Sequence, residues 1–214
     1  MERGLFVPGW GAPARLYRRG VPPAWTVLEL PPFRQTSGTL DRYRAEVGAA
    51  LADAGTPVAL AGHSMGAALA ALAVLERPAA VRRLVLLAPA GLPLAKPLRS
   101  SALAFAAQVA RGCYSPRALA EMAANAAAAP AAAWALARAV HDLDLTPELG
   151  RLRDAGVSCT VVGCTTDALT TCAHCRRLAA LAGAEYRELA ATGGHIWPVT
   201  HPDLLRRELA PFAG

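Results

Sequence analysis

Short runs of aliphatic and β-branched residues alternate along this chain with stretches of helical character. Successive parallel strands need a crossover connection, usually a helix, so the alternation predicts an α/β fold. The predicted strands are Leu5–Val7, Trp25–Leu30, Pro57–Ala61, Leu84–Ala88, Val157–Val162 and Ala184–Leu189. Apolar residues make up 54% of the 214 residues, enough to bury both faces of a sheet. We therefore expect a mainly parallel six-stranded sheet flanked by helices.

Several helices are predicted from their apolar spacing and their end residues. Thr39 is the predicted N-cap of one helix. The apolar face of this helix consists of Leu40, Tyr43, Val47 and Leu51. The alanine- and leucine-rich stretch 65–76 predicts a second helix, and residues 202–209 predict the last one.

The segment 92–148 separates the fourth and fifth predicted strands and contains no strand pattern. Helical stretches are predicted at 102–110, 116–128 and 131–140. The segment is too long for a plain crossover helix, so we expect a helical cap inserted over one end of the sheet. Sheet and cap are expected to share one core, and residues 1–214 to form a single domain.

Residues 62–66 read Gly-His-Ser-Met-Gly and join the third predicted strand directly to a helix. This sequence in this setting fits the G-x-S-x-G nucleophile elbow, which holds its serine in a strained strand-to-helix turn. A side chain at Gly62 or Gly66 would clash with the neighbouring strand or helix. Ser64 would project at the carboxyl edge of the sheet, where open α/β sheets place their sites. The alternative, a helix N-cap serine with incidental glycines, is disfavoured by the flanking strand and helix.

A serine hydroxyl is a poor nucleophile until a neighbouring base takes its proton. Among the five histidines, His195 follows the last predicted strand on a glycine-bounded loop, at the same edge as Ser64. We therefore predict His195 as the base. His63 lies inside the elbow, and we expect its side chain to point away.

The acid that orients the base is predicted to be Asp167, which follows the fifth strand. It keeps the chain order Ser, Asp, His that accompanies the elbow. An aspartate there would fix the tautomer of His195 and stabilise the imidazolium formed during attack. Asp142 and Asp144 are rivals at the end of the cap. A simple N-cap role is the alternative for Asp167.

The segments VPGWG, PVALAGHSMG, GCTTD and GGHIWP together resemble the α/β-hydrolase superfamily over nearly the whole chain, from Leu5 to the end. The resemblance implies the α/β-hydrolase fold. It also implies that the backbone N–H groups of Trp10 and Met65 form an oxyanion hole, which stabilises the negative charge of a tetrahedral intermediate.

The sequence departs from the family pattern at two places near its N-terminus. Pro8 stands where the family usually has a histidine before the glycine of the oxyanion loop. Only four residues precede the first predicted strand, where the family usually has two further antiparallel strands. We therefore expect a reduced sheet of six parallel strands.

Four of the five cysteines fall close together, and two of them form a Cys-x-x-Cys pair. The four are Cys159, Cys164, Cys172 and Cys175. Their spacing fits no zinc pattern, so we predict no metal and no cofactor. Buried thiols are the favoured interpretation; a disulfide or a redox-responsive pair of Cys172 and Cys175 is the alternative.

The formal net charge is +6, but the arginines are scattered in ones and twos rather than clustered on one face, so we predict no nucleic-acid partner. Polar residues interrupt the longest apolar runs, so no membrane span is predicted. No secretory leader is visible and the cysteine count is odd, which favours a cytoplasmic protein. A monomer or a homodimer is expected.

The residues expected to face the site are apolar, and we predict a small-molecule ester as the substrate. The predicted substrate-binding residues are Trp10, Met65, Leu169, Ile196 and Trp197, with Leu92, Phe105 or Trp134 as candidates from the cap. They favour a neutral, fairly hydrophobic ester with a short or medium acyl group, cleaved through an acyl-enzyme on Ser64.

Other functions are compatible with the same residues. A thioesterase, an acyltransferase or a carbon–carbon bond hydrolase can use the same triad, and a non-catalytic ligand-binding protein can share the fold. A serine at position 64 argues against chemistries that need a carboxylate nucleophile.

Overall fold

The computed structural model describes residues 3–111, 116–191 and 193–213. In this part of the chain six strands form one sheet, in the order β2-β1-β3-β4-β5-β6, and its five strand pairings are all parallel. The strands are β1 (Gly4–Val7), β2 (Trp25–Val27), β3 (Val58–His63), β4 (Val81–Leu87), β5 (Ser158–Cys164) and β6 (Glu185–Leu189). The predicted fold class is confirmed.

Helices cover both faces of this sheet. They are α1 (Asp41–Asp53), α2 (Met65–Glu76), α3 (Leu98–Arg111), α4 (Pro116–Ala128), α5 (Pro130–His141), α6 (Thr146–Asp154), α7 (Cys172–Ala182), α8 (Trp197–Thr200) and α9 (Pro202–Leu209). One core lies between the sheet and α1, α2, α6 and α7; the other lies between the sheet and α8 and α9. Side chains alternate between the two cores along each strand, as in β4, where Leu84 and Leu86 face one core and Val85 and Leu87 the other.

The strand order places a topological switch point beside β1. The chain passes from β1 to β2 on one side, and β3 then pairs with the opposite side of β1. In open parallel sheets a crevice forms at such a point, outside the carboxyl ends of the strands. Ser64 directly follows the last residue of β3 and therefore lies at this crevice.

The helices α3, α4 and α5, which we name the cap helices, follow β4. They correspond to the three helical stretches predicted inside 92–148, although residues 112–115 lie outside the described part. The last residues of the predicted segment, from Thr146, belong to α6, and α6 packs on α7 and α2 in a layer against the sheet. Thus α6 is a crossover helix. This packing does not favour the inclusion of residues 146–148 in the predicted cap, whose bounds stay a proposal.

Two local expectations differ from the structure. Helix α1 has Leu40 as its N-cap, because Thr39 uses its hydroxyl to bond to Asp41 and to the carbonyl of Thr36. Strand β2 ends at Val27, before the Pro31-Pro32 pair. No helix in the described part is long and apolar enough to cross a membrane. The cytoplasmic location and the oligomeric state stay predictions.

Candidate active site

The turn between β3 and α2 holds Ser64 in a conformation that non-glycine residues rarely adopt. Its φ is 55° and its ψ is −118°. The turn is compact: a Cβ on Gly62 would overlap the carbonyl of Gly66, and one on Gly66 would overlap the carbonyl of Val7. Both glycines are therefore needed for the close approach of β3, α2 and β1. Such strained backbone is typical of functional sites.

The side chains of Ser64, His195 and Asp167 form a continuous hydrogen-bonded line. Ser64 Oγ lies 2.8 Å from His195 Nε2, and His195 Nδ1 lies 2.8 Å from Asp167 Oδ2. His195 is carried by a short 3-10 turn, 194–196, that precedes α8, and Asp167 follows β5. Because a carboxylate only accepts, His195 Nδ1 donates to Asp167 and Nε2 is left to accept the serine proton. The geometry permits proton transfer from the serine hydroxyl to the imidazole.

Asp167 is buried and is bonded at both carboxylate oxygens. Oδ1 accepts from the backbone N–H groups of Leu169 and Thr170, at 2.8 and 3.0 Å. Oδ2 accepts from the Thr170 hydroxyl at 2.8 Å as well as from His195. Burial raises the pKa of Asp167, but the attraction of His195 and these hydrogen bonds outweigh it, and the net pKa lies below its ordinary value. The side chain is therefore held as a carboxylate.

The segment after β1, residues 8–11, lies against the elbow. Trp10 packs its ring on Phe33 and Phe105, with ring centroids 4.8 and 6.0 Å apart. Met65 is the first residue of α2, so its N–H has no partner four residues back in that helix. The N–H groups of Trp10 and Met65 thus belong to the two segments that flank Ser64 in the fold.

A cavity of about 650 Å³ opens above Ser64 and His195, between the sheet edge and the cap helices. Predicted residues Trp10, Leu169 and Ile196 line it. The cap contributes mainly small and apolar side chains to the lining, among them Ala102, Phe105, Ala106, Val109, Met122, Ala123, Ala133, Trp134 and Ala137. Phe105 and Trp134, which were candidates from the cap, are both part of the lining.

Three predicted pocket residues lie elsewhere. Trp197 is fully buried in the core beside α9, because it begins α8 and points into that layer rather than towards the cap. The Met65 side chain is also fully buried and faces a separate, smaller cavity. Leu92 packs in the core against the sheet. None of the three is among the described residues lining the large cavity.

The sequence interpretation overlooked several side chains that contact the site. His63 does not point away: it lines the cavity, and its Nε2 lies 2.8 Å from the carbonyl oxygen of His195. Gln108 of α3 accepts from the His195 N–H at 2.7 Å. Tyr17 and Thr170 also contact these residues. Thr170 alone had a local signal, since it lies three residues after the predicted acid; the other partners are distant in the chain.

The described cysteines are thiols: Cys159, Cys164 and Cys175 are buried and Cys172 is partly exposed. Burial raises the pKa of the Cys159 thiol to about 12. Within the described residues, no three His, Cys, Asp or Glu side chains are grouped so as to hold a metal ion. Cys113 lies outside the described part, and a redox role for Cys172 and Cys175 stays an untested alternative.

A parallel sheet with a serine elbow after β3, and with a histidine and an aspartate at the same edge, is the architecture of the α/β hydrolases. The chain belongs to the alpha/beta hydrolase family, whose model matches residues 5–208. No curated protein sequence matches the chain.

Solved structures resemble the fold over nearly the full length of both chains. A hydrolase from Oleispira antarctica superposes with a TM-score of 0.79 at 17% identity, covering 100% of this chain and 91% of that one. A lipase-esterase related protein from Clostridium acetobutylicum gives 0.77 at 17% identity, covering 98% and 93%. Est816, described as an N-acyl homoserine lactone degrading enzyme, gives 0.75 at 21% identity, covering 99% and 93%. At these identities the similarity establishes the fold.

Proposed function

We propose that the protein is a serine hydrolase that cleaves carboxylic esters with short to medium, fairly hydrophobic acyl groups. The observation that carries the proposal is the line of hydrogen bonds from Asp167 through His195 to Ser64, ending at the floor of an apolar cavity. Est816 and the Clostridium protein are described in ester-related terms, which is compatible with this proposal.

The proposed reaction begins when Ser64 Oγ attacks the ester carbonyl carbon and passes its proton to His195 Nε2. Asp167 stabilises the resulting imidazolium, and the N–H groups of Trp10 and Met65 stabilise the oxyanion of the tetrahedral intermediate. His195 returns the proton to the leaving alcohol, which leaves an acyl group on Ser64. Water, activated by His195, then releases the acid and restores the serine hydroxyl.

The chemistry of the cavity supports a neutral substrate. The described residues that line it include no Asp, Glu, Lys or Arg. Its volume of about 650 Å³ lies within the 300–1,000 Å³ that is typical of small-molecule pockets. An apolar acyl chain gains free energy by leaving water here, whereas a charged one would lose its hydration without finding a partner.

The experiment that tests the proposal is hydrolysis of p-nitrophenyl esters from acetate to decanoate, by wild type and by Ser64→Ala. We expect an optimum at one chain length and a loss of activity to near background in the variant. Labelling of Ser64 by a fluorophosphonate is the second measurement. A wild-type protein that neither hydrolyses any ester nor reacts with the fluorophosphonate would contradict the proposal. Labelling without ester hydrolysis would favour another acyl substrate, such as a thioester.

A further inference from the structure

Two buried side chains, Tyr17 and His63, join three separate segments around Ser64. The Gly9 N–H donates to the Tyr17 hydroxyl at 3.3 Å, and this hydroxyl lies 2.8 Å from His63 Nδ1. His63 Nε2 lies 2.8 Å from the carbonyl oxygen of His195. The exposed fractions of Tyr17 and His63 are 1% and 3%, so these bonds are largely shielded from water.

The chemistry of the four groups fixes the direction of every bond. A carbonyl oxygen only accepts, so His63 Nε2 carries the proton and donates to His195. In a neutral ring His63 Nδ1 is then the acceptor, and the Tyr17 O–H donates to it. Tyr17 oxygen in turn accepts from Gly9. The chain of donors therefore runs one way, from the oxyanion loop to the backbone of His195.

His63 is suited to remain neutral in this position. Burial, and secondarily the neighbouring His195, lower the pKa of His63 to about 3. The two imidazole rings have centroids 5.1 Å apart. During attack on an ester, His195 becomes an imidazolium, and a second charge on His63 would repel it. A neutral donor anchors His195 without that repulsion.

Apart from Asp167, every group that the proposed reaction needs lies on one of the three segments joined in this way. Gly9 precedes Trp10, His63 precedes Ser64, and His195 is the proposed base. The fit is tight, since a Cβ on Gly9 would lie 3.0 Å from His63 Nδ1 and 3.4 Å from the Tyr17 oxygen. A shift of any one segment would therefore be transmitted to the other two.

We propose that Tyr17 and His63 are positioning residues, which hold the oxyanion loop, the serine elbow and the loop of the base in one fixed relation. This inference rests on the proposed function. Neither side chain has to touch the reacting atoms for this role. Their effect is expected in kcat rather than in KM, because they orient His195 and the loop of Trp10 and expose only 1% and 3% of their own surface.

Replacements of His63 separate its two hydrogen bonds. In His63→Gln the amide nitrogen reaches the place of Nε2 and still donates to the His195 carbonyl. In His63→Asn the amide lies near the place of Nδ1, so the contact with Tyr17 is kept and the bond to His195 is lost. We expect His63→Asn to reduce kcat about tenfold or more with KM little changed, and His63→Gln, which keeps the bond to His195 but loses the one to Tyr17, to restore part of the loss.

Tyr17→Phe removes only the hydroxyl and is expected to reduce kcat about fivefold or more. Tyr43→Phe is the matched control, because Tyr43 is equally buried but lies on α1 outside this chain of bonds. Its activity should equal that of the wild type. Unfolding temperatures of all variants are measured in parallel, to confirm that each is folded at the assay temperature.

The double variant Tyr17→Phe/His63→Asn completes the experiment. Because breaking either end of this chain of bonds already separates the oxyanion loop from the loop of His195, its loss should be smaller than the product of the two single losses. If Ser64 of the wild type reacts with a fluorophosphonate but Tyr17→Phe and His63→Asn both keep the wild-type kcat, the positioning role is overturned and the proposed function stands. A wild-type protein that does not react would instead overturn the proposed function, and the positioning role with it.

Discussion

Gln108 accepts a hydrogen bond from the backbone N–H of His195 over 2.7 Å. This bond joins cap helix α3 to the residue that we propose as the base. His63 holds the carbonyl oxygen of the same residue, so both backbone polar atoms of His195 are bonded to side chains. The position of the base therefore depends on the cap as well as on the sheet.

The contact predicts that Gln108→Leu reduces ester hydrolysis. The substitution leaves the partly buried N–H of His195 without its acceptor, which costs about 1–3 kcal/mol, and we expect kcat to fall by about a factor of ten. Gln108→Glu keeps an acceptor oxygen at the same place and should retain more activity. Steady-state kinetics on one p-nitrophenyl ester compare the two variants, and equal activities would contradict the prediction.

The hydrogen bond from Thr170 to Asp167 predicts that substitutions at these two residues reduce kcat to different degrees. Its hydroxyl donates to Asp167 Oδ2 at 2.8 Å, so Thr170→Val should lower kcat about tenfold with KM almost unchanged, while Thr170→Ser stays near wild type. Asp167→Asn should cost more, up to about four powers of ten, because it favours the wrong tautomer of His195. Kinetics of the four proteins give the order directly. A Thr170→Ser variant as impaired as Thr170→Val would show that the hydroxyl is not responsible.

The cavity predicts that acyl-chain preference is set by small residues of the cap. Ala137→Phe places a large ring in the lining, so the preferred p-nitrophenyl ester should become shorter. The matched control is Ala131→Phe, because Ala131 is exposed on the same helix and does not line the cavity. The chain-length profiles of both variants are measured against the wild type. An unchanged profile for Ala137→Phe would place the acyl group elsewhere.

The buried His63 predicts a loss of stability in acid. Its pKa falls from 6.5 to about 3 on folding, so below pH 6.5 the unfolded chain binds a proton that the folded chain does not. The free energy of unfolding should therefore decrease as the pH falls from 6.5 towards 3, by up to about 1.4 kcal/mol per pH unit from this group. Denaturant titrations between about pH 6.5 and about pH 5 should show a shallower slope for His63→Gln. Equal slopes would contradict the assignment of His63 as a buried neutral ring.

The residues that the sequence made predictable are those with a local pattern. The elbow stands out because Gly62, Ser64 and Gly66 lie between a strand and a helix, and the sheet follows from the alternation of elements. Trp197 was placed in the pocket because it follows His195 closely, but whether it points to cavity or core depends on the turn that begins α8.

The supporting residues could not be predicted in this way. Gln108 is 87 residues from His195 in the chain, and Tyr17 is 46 residues from His63. Their roles depend on how the cap helix and the loop after β1 pack on the sheet, which no spacing within the sequence reports. For the same reason His63 looked like an inert neighbour of Ser64, although its ring bonds across the fold to the loop of His195.

The many alanines of the cap helices that line the cavity have an evolutionary consequence. Several single-nucleotide changes in an alanine codon give other small residues, such as valine, threonine, serine or glycine, so the volume and polarity of the cavity can drift by small steps. Apart from Gln108 on α3, the hydrogen-bonded side chains beneath it lie on other elements and need not change. A lineage can therefore acquire new substrates through its cap while selection preserves the chemistry of the sheet edge.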